Sequence, residues 1–156
     1  MLSRPAALAA FAVVLSSLGC GPSRYDFVGL WSYTSGTGQL TCTTSRGSQT
    51  QALSSNGNVS FVRGTDSDLV VVDGSGCNIK FNVTANQASV VPGQTCTRTS
   101  SDGVKTTVQV TSYTELLSSD LKTLTESFSA TVLMEGPGGQ ATCTMTSTGA
   151  LSKAGG

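Results

Sequence analysis

The chain has 156 residues, nine basic and nine acidic, with only 12% charged and no histidine. That balance leaves no basic field for nucleic acid or anionic lipid to read, and the missing histidine removes the commonest general base and transition-metal ligand. Serine and threonine number 23 and 22; with valine and tyrosine favouring strands and almost no run of good helix formers, they direct the chain to an all-β fold.

In chain order the first feature is a leader. One positive charge, Arg4, precedes the unbroken apolar run 6–15, and the small, mildly polar stretch 16–19 follows, the three-part layout of a secretory signal peptide. The run is too short to span a bilayer as a helix, which takes roughly 20 apolar residues. Ser17 and Gly19 fit the small-x-small pattern of ordinary secretory cleavage. The junction Leu15-Ser16-Ser17-Leu18-Gly19-Cys20 also resembles a bacterial lipoprotein lipobox: Gly19 and Cys20 match it, Ser17 stands where an aliphatic residue is usual, and Leu18 is larger than the usual residue. That resemblance implies a lipid anchor on Cys20, three acyl chains in all. At about 0.8 kcal/mol per buried methylene, they would hold the chain on a membrane without help from the protein surface. Gly21 is not the aspartate that retains enterobacterial lipoproteins at the inner membrane, so the resemblance points to the outer membrane of the cell envelope.

Cysteine parity argues the same way independently. Of Cys20, Cys42, Cys77, Cys96 and Cys143, an odd member in an exported protein pairs with another molecule or stays reactive; lipidating Cys20 leaves an even four. The expected layout is a signal peptide at 1–19, a lipidated tether at 20–26, one β domain at 27–151 and a disordered tail at 152–156. Cleavage would leave 137 residues, a size suited to one domain.

From residue 27 short segments alternate with turn signals every eight to twelve residues or so, as in a sandwich or barrel. Gly36-Thr37-Gly38 separates strands expected at 30–34 and 39–44. Asn56-Gly57, the strongest two-residue hairpin signal, lies between 51–53 and 59–62. Asp73-Gly74-Ser75-Gly76 joins 69–72 to 78–84, and Asn86-Gln87 and Pro92-Gly93 bracket 88–91. Ser101-Asp102-Gly103 opens the long segment 104–117. A second, 121–134, turns at Gly136-Pro137-Gly138-Gly139 into the last strand, 140–147. Residues 113–126 carry leucines at near-helical spacing, but Thr114, Thr123 and Thr125 are poor helix formers and Ser118-Ser119-Asp120 reads as a turn, so two long strands are preferred. Asn58 and Asn82 sit in Asn-x-Ser/Thr triplets and are read as strand residues.

Parity gives each strand a wet and a dry face. Val104, Thr106, Val108 and Val110 share one face; Phe128, Ala130, Val132 and Met134 another; Ile79, Phe81 and Val83 a third. One dry face per strand is antiparallel behaviour. The fold class expected is all-β: a single antiparallel meander of about 8–10 strands, barrel or sandwich.

Four cysteines in an oxidising envelope read as two disulfides. Of three connectivities, Cys77 with Cys96 and Cys42 with Cys143 is preferred. The first pair brackets a local hairpin, where an uninterrupted Asn86-Gln87 loop would set 77 opposite 96. That register puts Pro92 opposite Phe81 at a hydrogen-bonded site, which calls for a bulge or second turn at Pro92-Gly93. The second pair ties an early strand to the last one. Four thiolates on zinc would need a close Cys-x-x-Cys or a histidine, and the sequence has neither.

No constellation carries chemistry. A serine nucleophile would need Lys80, Lys105, Lys122 or Lys153 as base, and no Gly-x-Ser-x-Gly elbow exists. Asp66, Asp68 and Asp73 form the acidic cluster, but their spacing fits no calcium loop and suits turns. No catalytic residue, metal site or cofactor is expected.

Gly29-Leu30-Trp31 is similar to the Gly-x-Trp that opens the first strand of lipocalins, and Val110-Thr111-Ser112-Tyr113 resembles their Thr-Asp-Tyr motif with Ser112 in place of aspartate. The resemblance implies an eight-stranded barrel whose tryptophan plugs the closed end and whose open end binds a small apolar ligand. No arginine lies in the last third to stack on Trp31, and the helix that follows the lipocalin barrel has no candidate. The functional expectation is a membrane-anchored, non-catalytic envelope module that binds another envelope component through a sheet face or edge strand. The alternative is a lipocalin-like carrier of a small apolar molecule.

Overall fold

The computed structural model describes residues 22–44, 47–72 and 77–154; the leader and Cys20 lie outside them. One helical turn, α1 (Arg24–Phe27), precedes ten strands: β1 (Gly29–Thr44), β2 (Gly47–Ser54), β3 (Asn58–Arg63), β4 (Leu69–Val72), β5 (Asn78–Thr84), β6 (Gln87–Val90), β7 (Thr95–Thr99), β8 (Lys105–Leu117), β9 (Thr123–Gly136) and β10 (Gly139–Lys153). They form one antiparallel sheet in the order β10-β9-β8-β6-β5-β4-β3-β1-β2, with β7 beside β8 and β1 pairing back onto β10. That last pairing closes an eight-stranded barrel and leaves β2 and β7 outside the ring. Of the two architectures the alternation allowed, the chain adopts the barrel.

The two outer strands have a simple geometric origin. β2 and β3 both pair with β1, β3 along Gly29 to Ser32 and β2 along Thr37 to Thr44. They run in one line, interrupted at residues 55–57, where the Gly57 carbonyl still accepts from the Tyr33 N–H at 3.0 Å. Asn56-Gly57 therefore does not turn a β2–β3 hairpin. Its positive φ of 89° at Gly57 supplies a break opposite the β-bulge that β1 makes between Tyr33 and Ser35. β6 and β7 repeat the arrangement along β8, broken at 91–94, near a second bulge between Val110 and Ser112. Counting each broken pair as one strand, the chain is an eight-strand up-and-down meander.

Two further turn expectations are corrected by pairing. Gly36-Thr37-Gly38 does not divide two strands, because β1 runs unbroken through it. A Cβ on Gly38 would lie 2.5 Å from the Thr146 carbonyl oxygen, so this glycine serves a close strand approach. Asn86-Gln87 is not the hairpin loop either: Thr84 pairs with Gln87, placing Ala85 (φ 53°) and Asn86 in the turn. That register would set Cys77 opposite position 94, not 96. Pro92-Gly93 does make the second turn (Gly93 φ 81°), and Gln94 there imitates a strand neighbour, its amide accepting from the Lys80 N–H and donating to the Lys80 carbonyl, each at 2.8 Å. The segment 113–126 forms the ends of β8 and β9 around a Ser118–Asp120 turn, as preferred over a helix. The Asp73–Gly76 connection lies outside the described residues.

One end of the barrel is packed shut. Phe27, Trp31, Phe61, Leu69, Phe81, Leu117, Leu124 and Leu151 are fully buried there. Part of the expected tether belongs to this plug: α1 carries Phe27 inward, and Arg24 reaches Asp68 at 3.1 Å. The expected tail is likewise shortened, since β10 continues to Lys153 and the Ala154 N–H donates to the Leu30 carbonyl at 2.8 Å.

Candidate functional site

The row above the plug is built from small residues and two acids. Gly36 of β1 faces Gly149 of β10, Gly149 faces Glu126 of β9, Glu126 faces Glu115 of β8, and Glu115 faces Ala88 of β6. Two glycines and an alanine leave interior space that larger side chains would fill. Tyr33 enters it from β1: a Cβ on Gly149 would come within 2.9 Å of the Tyr33 ring, so Gly149 gives that ring its place. The Tyr33 hydroxyl donates to Glu126 Oε2 at 2.5 Å, and the Tyr113 hydroxyl donates to the same oxygen at 3.0 Å.

Glu115 is the anomaly of this row. Its exposure is 0%, and neither carboxyl oxygen has a hydrogen-bond partner. Burying such a group charged and unpaired is strongly unfavourable, and keeping its proton reduces that penalty. Burial first, and the Glu126 carboxyl second, push its pKa up to about 9. Burial and the two acids likewise raise both tyrosine hydroxyls.

Above this floor the barrel is open. A cavity of about 790 Å³ is bounded below by Tyr33, Tyr113 and Glu126, walled by Val59, Val71, Ile79, Val110, Phe128 and Met145, and rimmed by Thr95 to Arg98 of β7. Its position follows from the broken strands: β3, β4 and β5 end at this level while β1, β8, β9 and β10 continue. An edge-to-face series of rings, Phe61–Phe81–Tyr113–Phe128, with centroids 5.9, 4.9 and 5.2 Å apart, connects the plug to the wall.

The residues singled out from sequence fall around this site rather than in it. Cys42–Cys143 bridges directly paired residues on the β1–β10 seam. Cys77–Cys96 joins the start of β5 to β7 at the cavity mouth, and both its cysteines line the cavity. Both pairs are those preferred from the sequence. Gly29 (φ 135°) and Trp31 lie at the closed end, where the Trp31 Nε1–H donates to the Phe27 carbonyl at 2.8 Å. Among the described residues no arginine covers Trp31, but Lys153 places Nζ 5.3 Å from its ring centroid and donates to the Asp26 carbonyl. Asp66 and Asp68 are engaged structurally, Asp66 by Lys80 and Asp68 by the Val83 N–H and Arg24; these contacts hold both carboxyls below the usual range.

Sequence reasoning missed Tyr33, Glu115 and Glu126. Glu126 was within reach, because the Phe128–Met134 parity extended backward puts it on the dry face. Glu115 was not: extending Val110's parity places it on the wet face, and only the Thr111 bulge reverses that. No family model, curated protein or solved structure matches the chain. The site is thus interpreted from its own geometry.

Proposed function

We propose that the protein is a non-catalytic binding module, lipid-anchored in the bacterial cell envelope through Cys20, which holds a small, largely apolar molecule inside its barrel. The observation that carries this reading is the cavity: about 790 Å³, mostly apolar walls and a few convergent polar groups at its base, the usual constitution of a small-molecule site. The lipocalin-like reading of Gly29 and Trp31 agrees in placing the tryptophan at the closed end and the ligand at the other. The anchor rests on the lipobox resemblance and on cysteine parity, which the two disulfides among Cys42, Cys77, Cys96 and Cys143 support by leaving Cys20 over.

Docking of an envelope partner on a strand edge would use β2 or β7, each paired on one side only. The cavity reading is preferred because edge docking gives no reason for an open, largely apolar-walled cavity with Tyr33, Tyr113 and Glu126 at its base.

N-phenyl-1-naphthylamine, a neutral fluorophore that brightens in apolar surroundings, tests the reading. One equivalent should bind the wild-type protein, and Ile79→Trp, which fills the cavity from β5, should weaken binding at least tenfold. Undiminished binding to a folded Ile79→Trp variant would place the probe elsewhere and refute the cavity as the site.

A further inference from the structure

A purely apolar cargo leaves one feature unused. A barrel that needed only to enclose hydrocarbon would gain by replacing two buried acids with leucines, since burying an unpaired carboxyl is unfavourable and burying a methyl group is favourable. Here two glutamates face each other across β8 and β9, and both tyrosine hydroxyls of the floor converge on one oxygen of Glu126. Glu115 lies fully buried beside Glu126, outside the cavity lining, and neither of its oxygens is within hydrogen-bond geometry of a partner. The proton that Glu115 retains is what neutralises the pair, and a cationic donor brought to Glu126 at the cavity floor would take its place. Arg98, the one cation lining the cavity among the described residues, is at its rim, on exposed β7.

We propose that Glu126, backed by its strand neighbour Glu115, is the recognition site for the protonated amine of a small amphipathic ligand, whose apolar body lies against Val110, Phe128, Val71 and Ile79. The inference rests on the cavity reading above and adds the ligand's chemical class. An ammonium supplies three donors on a compact cation; placed against the pair, it offsets the repulsion between two ionised carboxyls and the cost of burying them.

A consequence follows for protons. The groups facing Glu115 are Tyr113 and Glu126 from β8 and β9 and Tyr33 from β1, all neutral or acidic; the Tyr113 hydroxyl alone favours its ionised form, and burial and the Glu126 carboxyl outweigh it. Ammonium binding tips that balance, and a proton leaves. Amine affinity should therefore rise with pH between about 6 and 8, up to about tenfold per unit if a full proton is released.

The test compares three probes of one skeleton, 2-(1-naphthyl)ethylamine, 2-(1-naphthyl)ethanol and 1-naphthylacetic acid, by calorimetry on the full-length protein at pH 7 in two buffers of different ionisation enthalpy. The expected result is at least tenfold tighter binding of the amine than of the alcohol, with proton release, and loss of that preference in Glu126→Gln while alcohol affinity is kept. Equal affinity for amine and alcohol overturns the amine assignment and leaves the cavity reading standing. Tighter binding of the acid overturns it in favour of Arg98, and no binding of any probe overturns both readings. Should Glu126→Gln not fold, proton release by the wild-type protein and its loss in Glu115→Gln decide the matter.

Discussion

Glu115 makes the barrel's stability a function of pH in a range where little else titrates. With no histidine in the chain and the perturbed aspartates all lowered from an already acidic value, the interval from pH 5 to 8 belongs to this residue. Its folded pKa of about 9 lies above the unfolded value of 4.5, so between those limits the native state holds a proton that the unfolded chain has lost. Stability is therefore greatest at the acidic end and declines as pH rises, by about 1.4 kcal/mol per unit. Melting curves between pH 5 and pH 8 should show the wild-type Tm falling steadily and Glu115→Gln nearly level, with the two proteins similar at pH 5. A wild-type Tm that holds or rises across the interval would contradict the buried, unpaired placement of this side chain.

At the scale of elements, two one-residue bulges govern the architecture. Each reverses the alternation of a long strand and lies beside the break in a collinear neighbouring pair, so the barrel narrows to a plug on one side of this level and opens into a cavity on the other. The β1–β10 seam that closes the ring carries the longer-range disulfide, Cys42–Cys143, with a sequence separation of 101, against 19 for Cys77–Cys96. On chain-entropy grounds the seam bridge should contribute about 4–5 kcal/mol and the mouth bridge about 3. Denaturant titration of the two double cysteine-to-serine variants should rank them in that order. The mouth pair should also affect probe binding, because Cys77 and Cys96 line the cavity and the seam cysteines do not.

For the whole molecule, the proposed anchor and the observed barrel make one arrangement. Only a few residues separate Cys20 from α1, whose Phe27 enters the closed end. In an anchored protein the plug would sit near the membrane and the cavity would face away from it. Intact mass of the membrane-extracted protein should show three acyl chains on Cys20 and an increase of four hydrogens on reduction. An unmodified Cys20 would remove the anchor from the proposal while leaving the barrel and its cavity untouched.

What the sequence determined by itself is what local physics controls. Period-two alternation gives the strands and their dry faces at Ile79, Phe81, Ala130 and Val132, threonine content makes 113–126 strand ends rather than helix, and four cysteines pair as two bridges, although the hairpin register that argues for Cys77–Cys96 is shifted by two residues. Tertiary structure alone decided between barrel and sandwich, because closure depends on β1 meeting β10 across more than a hundred residues. It also decided what the glycines do: Gly36 and Gly38 read locally as a turn, yet their lack of a side chain serves a neighbouring strand. Above all it decided where Glu115 points. A single extra residue at Thr111, opposed by no partner on β9, turns an apparently wet position into the most buried acid among the described residues, and a pattern read along one strand contains nothing to reveal it.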